Sequence, residues 1–325
     1  MAKVITVLNY KGGAGKTTTV ANLGTALWLL RKRVLLIDTD VQCNLSLLLG
    51  FRNNDSNGNL LPTVNEWLTD HPDGFKVYER YPGLYYIPGR KDPKINLERE
   101  LSNEYHGEDI LKEHLNDIKD MFDYILIDCS FLANMINKNA LIASDSILIP
   151  CETASFSFQG LDQLYSEYLK TKKRANKDLQ IEGILYTKYL KGTRFAKKME
   201  QYMNDSEEFG PYIMKTKIRK CNRFDESPIE NKSVFEKEVK SNGAEDYLSL
   251  AEELTGDKRP DNWKEIILKA WLSVEEDDWD VIGQLREVFK EMKAQHPNDP
   301  AIEKEFNHLT KIIKEHAIQE KEQNK

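Results

Sequence analysis

Three glycines and a Lys-Thr-Thr run lie within the ten residues Tyr10 to Thr19, written Tyr-Lys-Gly-Gly-Ala-Gly-Lys-Thr-Thr-Thr. This composition is that of a phosphate cradle. Gly12, Gly13 and Gly15 let the backbone turn tightly around Ala14 and aim successive N–H groups inward. Lys16 is the cation to neutralise β- and γ-phosphates, Thr17 offers its hydroxyl to Mg²⁺, and Thr18 is placed to hydrogen-bond an α-phosphate. A helix starting near Lys16 adds its positive dipole end. Such a nest suits a triphosphate.

The cradle has the flanks that it requires. Val4 to Leu8 is a short apolar β-branched run suited to a buried parallel strand, and Val20 to Leu30 reads as a helix. A second buried strand, Val34 to Ile37, runs into Asp38-Thr39-Asp40-Val41-Gln42-Cys43-Asn44. A third, Tyr124 to Ile127, ends in the lone acid Asp128, the position from which a carboxylate reaches a Mg²⁺ water. Carboxylates at the C-terminal ends of strands face the ligand side of a parallel sheet. Taken singly, each of these acids would serve equally well as a turn cap; the cradle makes them a set.

The usual pattern Gly-x-x-x-x-Gly-Lys-[Ser/Thr] wants glycine where Tyr10 stands, and the loop carries an extra lysine, Lys11. Lys-Gly-Gly-x-Gly-Lys-Thr-Thr resembles the deviant Walker A box of the ParA/MinD family of P-loop ATPases, most of all its ParA-type DNA-partitioning members. The resemblance implies a doubly wound, mostly parallel α/β sheet, ATP and Mg²⁺ as ligands, and a homodimer with ATP at the interface, Lys11 reaching a phosphate bound by the partner subunit. It also implies that Asp38 holds the Mg²⁺ water shell, Asp40 orients the attacking water, and Asn44 belongs to the same nucleotide-sensing segment. The chain departs from the family at Val41, where proline is usual, and at Ser130-Phe131, where a diproline is usual. Hydrolysis is expected to survive the first change, and the loop after Asp128 is expected to move more on nucleotide binding.

Further matches follow in order. Leu84 to Gly89, Asn137 to Pro150 and Ser241 to Tyr247 resemble family segments, so the likeness covers about residues 1–256. Residues 51–82 read as a variable connecting region. Lys215 to Pro228 looks like the family's Ile-Pro-Arg-Asn-x-Arg-x-Ser-Glu-Ala-Pro, with Arg219 in place of the proline that contacts adenine. An Arg219 guanidinium is expected to stack on the base instead. Together with the basic stretch after the strand Ile181 to Tyr186, this segment supplies a candidate DNA surface of Lys191, Arg194, Lys197, Lys220 and Arg223. Without interleaved aromatics or a helix-turn-helix, the expected partner is duplex DNA of any sequence, and a solvated charged face is the plain alternative. The resemblance adds a ParB-like activator as a second partner.

Length and composition frame this reading. The chain has 325 residues and a net charge of -7, so any nucleic-acid surface must be a local patch. The acidity is concentrated late: residues 260–325 carry 10 Lys/Arg against 15 Asp/Glu. Cys43, Cys129, Cys151 and Cys221 are scattered, which suits reduced thiols rather than a metal or iron-sulfur site. The first strand begins at once, leaving no room for a signal peptide, and a cytoplasmic, nucleoid-associated protein without a membrane partner is expected. Residues 257–325 read as a helical extension of two or three amphipathic helices bearing Trp263, Trp271 and Trp279. They either pack on the ATPase body or meet a partner. MinD-like membrane positioning shares every nucleotide motif but needs a basic amphipathic anchor, and the stretch His316 to Lys325 is too polar to insert. A metabolic enzyme of the same fold, of the cobyrinate-amidating or nitrogenase-iron-protein kind, would need a glutaminase domain or cluster-ligating cysteines.

Overall fold

This computed structural model describes residues 1–69, 74–91, 97–152 and 158–323. Of the expected connecting region, residues 70–73 lie outside the described residues, as do residues 324 and 325 of the polar terminal stretch. The chain opens with β1 (Lys3–Val7), α1 (Lys16–Leu29), β2 (Val34–Asp38) and the short helices α2 (Asn44–Leu48) and α3 (Val64–Leu68). A hairpin of β3 (Tyr78–Tyr81) and β4 (Leu84–Ile87) leads to α4 (Leu97–Asn103) and α5 (Ile110–Ile118). The second half of the sheet is β5 (Tyr124–Asp128), α6 (Met135–Ala143), β6 (Ser146–Glu152), α7 (Phe158–Arg174) and β7 (Gln180–Thr187). Then come α8 (Arg194–Asn204), α9 (Arg223–Glu230), α10 (Val234–Lys237) and α11 (Asn242–Thr255). Three further helices close the described chain: α12 (Trp263–Leu272), α13 (Trp279–Gln295) and α14 (Pro300–Gln323).

Seven strands form one sheet in the order β3-β4-β2-β5-β1-β6-β7, parallel except for β3. Alternate residues feed opposite layers: Ile5, Val7, Leu36 and Leu126 join one core, while Val4, Leu8, Leu35, Ile37, Ile125 and Ile127 join the other. Burial on both faces is why these strands are unbroken apolar runs. The antiparallel β3 was not expected within the connecting region. Its Tyr-Glu-Arg-Tyr sequence buries only Tyr81, as suits a strand at the rim.

Helix α1 lies hard against the sheet. A Cβ on Gly24 would come within 2.5 Å of Leu36 Cδ2, so any larger residue there would have to displace the Leu36 side chain. The extension packs on this side: Trp263, Ile267, Trp271, Val281, Leu285 and Phe289 belong to the same core as α1 and α11. Losing a buried side chain of tryptophan size costs about 3–5 kcal/mol. The three helices therefore contribute to holding the body together. Among the described residues, no helix is long and apolar enough to cross a membrane.

Candidate functional site

Parallel pairing sets the chemistry at one edge of the sheet. Val7 on β1 and Asp38 on β2 both pair with Asp128 on β5, so the cradle and two carboxylates emerge side by side. Gly13 and Gly15 have positive φ (74° and 88°), the conformation that made glycine necessary there. Ala14 is buried, and its carbonyl accepts a 2.9 Å bond from the Thr187 hydroxyl at the end of β7. Gly12, Gly13, Gly15, Lys16, Thr17, Thr18, Asp40 and Asn44 line one cavity of about 360 Å³. Lys11 is not in that lining; its N–H is bonded to Asn9 Oδ1 at 3.0 Å and its carbonyl accepts from Lys16 Nζ at 3.4 Å.

Lys16 is buried, and burial lowers the pKa of its ammonium, an effect that Asp128 and Asp40 oppose. Asp38 is braced by three hydrogen bonds that leave its carboxylate further acceptor capacity. Its Oδ2 accepts from the Ser46 N–H at 2.8 Å and the Ser46 hydroxyl at 2.6 Å, and its Oδ1 accepts from the Asp40 N–H at 3.2 Å. Burial nevertheless pushes its carboxyl up to about 6. Asp128 differs, since no well-formed hydrogen bond reaches either of its buried oxygens among the described residues, although the Thr17 side chain lies close enough to favour its charged form. Burial, with the charge of Asp38 beside it, raises the Asp128 carboxyl well above the usual range. A buried carboxylate left open in this way is costly unless a cation completes it. The donor set Thr17, Asp38 and Asp128 fits a Mg²⁺ ion held through its hydration shell, Asp128 being the open carboxylate.

A pH dependence follows. The Asp38 carboxyl lies above its ordinary unfolded value of about 4, so between about pH 4 and 6 the folded state holds the extra proton. That contribution is complete below the window and is lost as pH rises through about 6. In metal-free, nucleotide-free protein, Asp38→Asn should flatten this part of the melting-temperature profile relative to the parent. An unchanged difference across the window would contradict the assignment.

The turn after β2 lacks the family proline, and an Asx-type bond from the Gln42 N–H to Asp40 Oδ1, 2.9 Å, holds it instead. Side chains likewise brace the loop after Asp128: Asn137 Nδ2 donates to the carbonyls of Ser130 (3.0 Å) and Leu132 (2.6 Å). Phe131 from this loop lines the cavity, with Lys16 Nζ 6.0 Å from its ring centre.

The same cavity is lined further by Lys188, Ile218, Phe224, Asp225 and Tyr247. Arg219 is not among them, which corrects the stacking expectation. Its guanidinium is clamped on Asp246 of α11 at 2.7 and 3.0 Å, and its N–H donates to the same carboxylate at 2.8 Å. A charge-assisted fork outcompetes an exposed ring face. Phe224 and Ile218 sit in the segment that the sequence singled out, but their role is visible only once that segment is folded over the cavity.

The two basic segments emerge at the same end of the sheet, where the backbones of Tyr189 and Arg219 pair. Lys191, Arg194, Lys197 and Lys220 are exposed. Arg223 is a correction: its guanidinium is bonded to Glu238 at 2.7 Å and Glu226 at 2.9 Å, so its charge is already answered.

Residues 2–181 match the protein family described as AAA domain. The sporulation initiation inhibitor protein Soj of Bacillus subtilis is 34% identical over 263 residues, 78% of this chain and 98% of that protein. The chromosome partitioning protein ParA of Myxococcus xanthus is 32% identical over 257 residues, 78% of this chain and 88% of that protein. Among solved structures, the cobyrinic acid a,c-diamide synthase of Mycobacterium smegmatis with bound ADP and magnesium is similar in fold, with a TM-score of 0.65 and 26% identity over 80% of this chain and 98% of that one.

Proposed function

The chain belongs to the ParA/MinD family of deviant-Walker-A P-loop ATPases, and from that membership we propose that it is a partitioning ATPase whose ATP-bound homodimer holds non-specific duplex DNA and releases it after hydrolysis. The observation that carries this reading is the two-lysine cradle set beside the carboxylate ends of β2 and β5. The backbone amides of Gly12 to Gly15 and the Lys16 ammonium hold the phosphates. Thr17, Asp38 and Asp128 would hold Mg²⁺, which would supply charge neutralisation for the phosphates. Asp40 holds the attacking water in line with the γ-phosphate. Lys11 reaches across to the nucleotide of a second subunit, so ATP bridges the dimer and its cleavage loosens it.

In this cycle the DNA surface is Lys191, Arg194, Lys197 and Lys220, doubled by the dimer's symmetry. Arg223 joins it only by leaving Glu226 and Glu238. The double substitution Lys191→Glu with Arg194→Glu should lower affinity for non-specific duplex at low salt by about tenfold or more and make the salt dependence shallower, while DNA-independent ATP turnover stays at the parent rate. Glu226→Gln combined with Glu238→Gln should act in the opposite direction by releasing Arg223 from both carboxylates. A mobility-shift titration at several salt concentrations reads both. Unchanged binding by the double variant would misplace the surface. A ParB-like activator is the expected partner for triggering release.

A further inference from the structure

Helices α12 and α13 lie outside the stretch that resembles the family, yet they are seated on the turn that follows α9, whose Phe224 and Asp225 line the cavity. Lys232, in the turn between α9 and α10, is buried and ion-paired with Asp278 at 2.6 Å, its Nζ 5.5 Å from the Trp271 ring. Asp278 also accepts the Trp271 indole N–H at 2.8 Å and caps α13 through the Val281 N–H at 3.2 Å. Arg80 stacks over the other part of the arrangement, 4.6 Å from Trp271, and donates to the Asn231 carbonyl at 2.9 Å. Gln284 of α13 completes the grip. It donates to the carbonyls of Glu236 and Lys237 at 3.3 and 3.1 Å and accepts from the Val239 N–H at 3.1 Å.

The held turn has its own reason to need support. Helix α10 is a single turn of four residues, and Asn231 before it has a left-handed φ of 53°. Neither feature is stable alone. On the body side the turn is anchored by the Val234 N–H to Asn22 Oδ1 of α1 at 2.9 Å and by β3, where Arg80 holds the Asn231 carbonyl and the Tyr81 hydroxyl donates to the Glu236 carboxylate. Helix α9 leads into it directly from Phe224 and Asp225, both in the cavity wall. Phe224 has little slack: a Cβ on Gly243 would come within 2.7 Å of its Cζ and 3.1 Å of Val234 Cγ2. A shift of the turn is therefore transmitted to the ring that faces the nucleotide.

We propose that α12 and α13 form a strut that positions the base-side wall of the nucleotide cavity through the 231–239 turn, with Lys232 and Asp278 as its positioning residues. The proposal rests on reading this cavity as the ATP site. It separates two jobs within that site, since the strut supports the base wall while the glycine cradle is built by β1 and α1.

The test uses the full-length protein and two probes, ADP and inorganic tripolyphosphate, measured by calorimetry beside steady-state ATP hydrolysis. Asp278→Asn and Lys232→Met should weaken ADP about five- to tenfold and raise the KM for ATP to match, with kcat within about twofold of the parent. Tripolyphosphate affinity should stay unchanged, and Lys232→Arg should restore ADP binding. If the buried variants do not fold, Gln284→Ala leaves the ion pair intact and should shift ADP and not tripolyphosphate in the same sense. A lowered melting temperature with unchanged ADP affinity would overturn the strut. Equal losses for ADP and tripolyphosphate would overturn it as well, because the damage would then reach the cradle. Parent protein that bound neither probe would overturn the ATP-site reading itself.

Discussion

Lys16→Ala should remove ATP turnover, with a loss of about a thousandfold or more in kcat/KM and no detectable nucleotide binding at concentrations that saturate the parent. The expectation follows from position. Lys16 is a buried ammonium in the cavity lining, at the point where α1 begins, and among the described residues the other cation of that lining, Lys188, is exposed. Removing one preorganised electrostatic contact to a developing charge costs about 10²–10³-fold in rate, and here the same contact also holds the ground-state phosphates. Burial that lowers the lysine's pKa is offset by Asp128 and Asp40, so the charge is available when a triphosphate enters. Circular dichroism and melting curves separate this loss from misfolding. Substantial turnover by a folded Lys16→Ala protein would move the chemistry to another cavity.

Asp40→Ala should separate binding from cleavage. The carboxylate lines the nucleotide cavity and is buried, so its loss should lower turnover by about 10²–10⁴-fold while ATP still binds. ATP would then hold subunits together with no exit, and sedimentation should show a dimer that persists with ATP and disperses with ADP. The Asp40 side chain has a second job, accepting the Gln42 N–H in the turn. Asp40→Asn keeps an acceptor for that bond and removes the charge, so it distinguishes a broken turn from a missing water-orienting group. Full activity of Asp40→Asn would assign the residue to the turn alone.

Much of this site was legible in the sequence because it is local. The strands that carry it are buried on both faces and so are written as apolar β-branched runs, and each functional group follows its strand by a residue or a short loop. The glycine cradle is written in one short stretch, and with it in hand Asp38 and Asp128 stand out at their strand ends. What escaped is long-range pairing. Arg219 and Arg223 look like free cations in the sequence, but the carboxylates that hold them, Asp246 and Glu238, lie 27 and 15 residues further on and arrive through α11 and the turn after α10. Strand β3 escaped because a rim strand buries little, and Tyr78 to Tyr81 alternates weakly within a polar connection. In the extension, helical periodicity marked the apolar faces of α12 to α14. It carried no information on which surface would receive them, and the Lys232 to Asp278 pair that docks them joins residues with no local signal.

If ATP gates DNA binding, one titration reads it out: the protein against non-specific duplex with ATP, ADP or no nucleotide, repeated across salt concentrations. Lys191, Arg194, Lys197 and Lys220, doubled in a dimer, set a limiting slope of log affinity against log salt of about -7. The account predicts binding with ATP only, lost steeply as salt rises and absent with ADP. Equal binding in all three nucleotide states, or none in any of them at low salt, would contradict it.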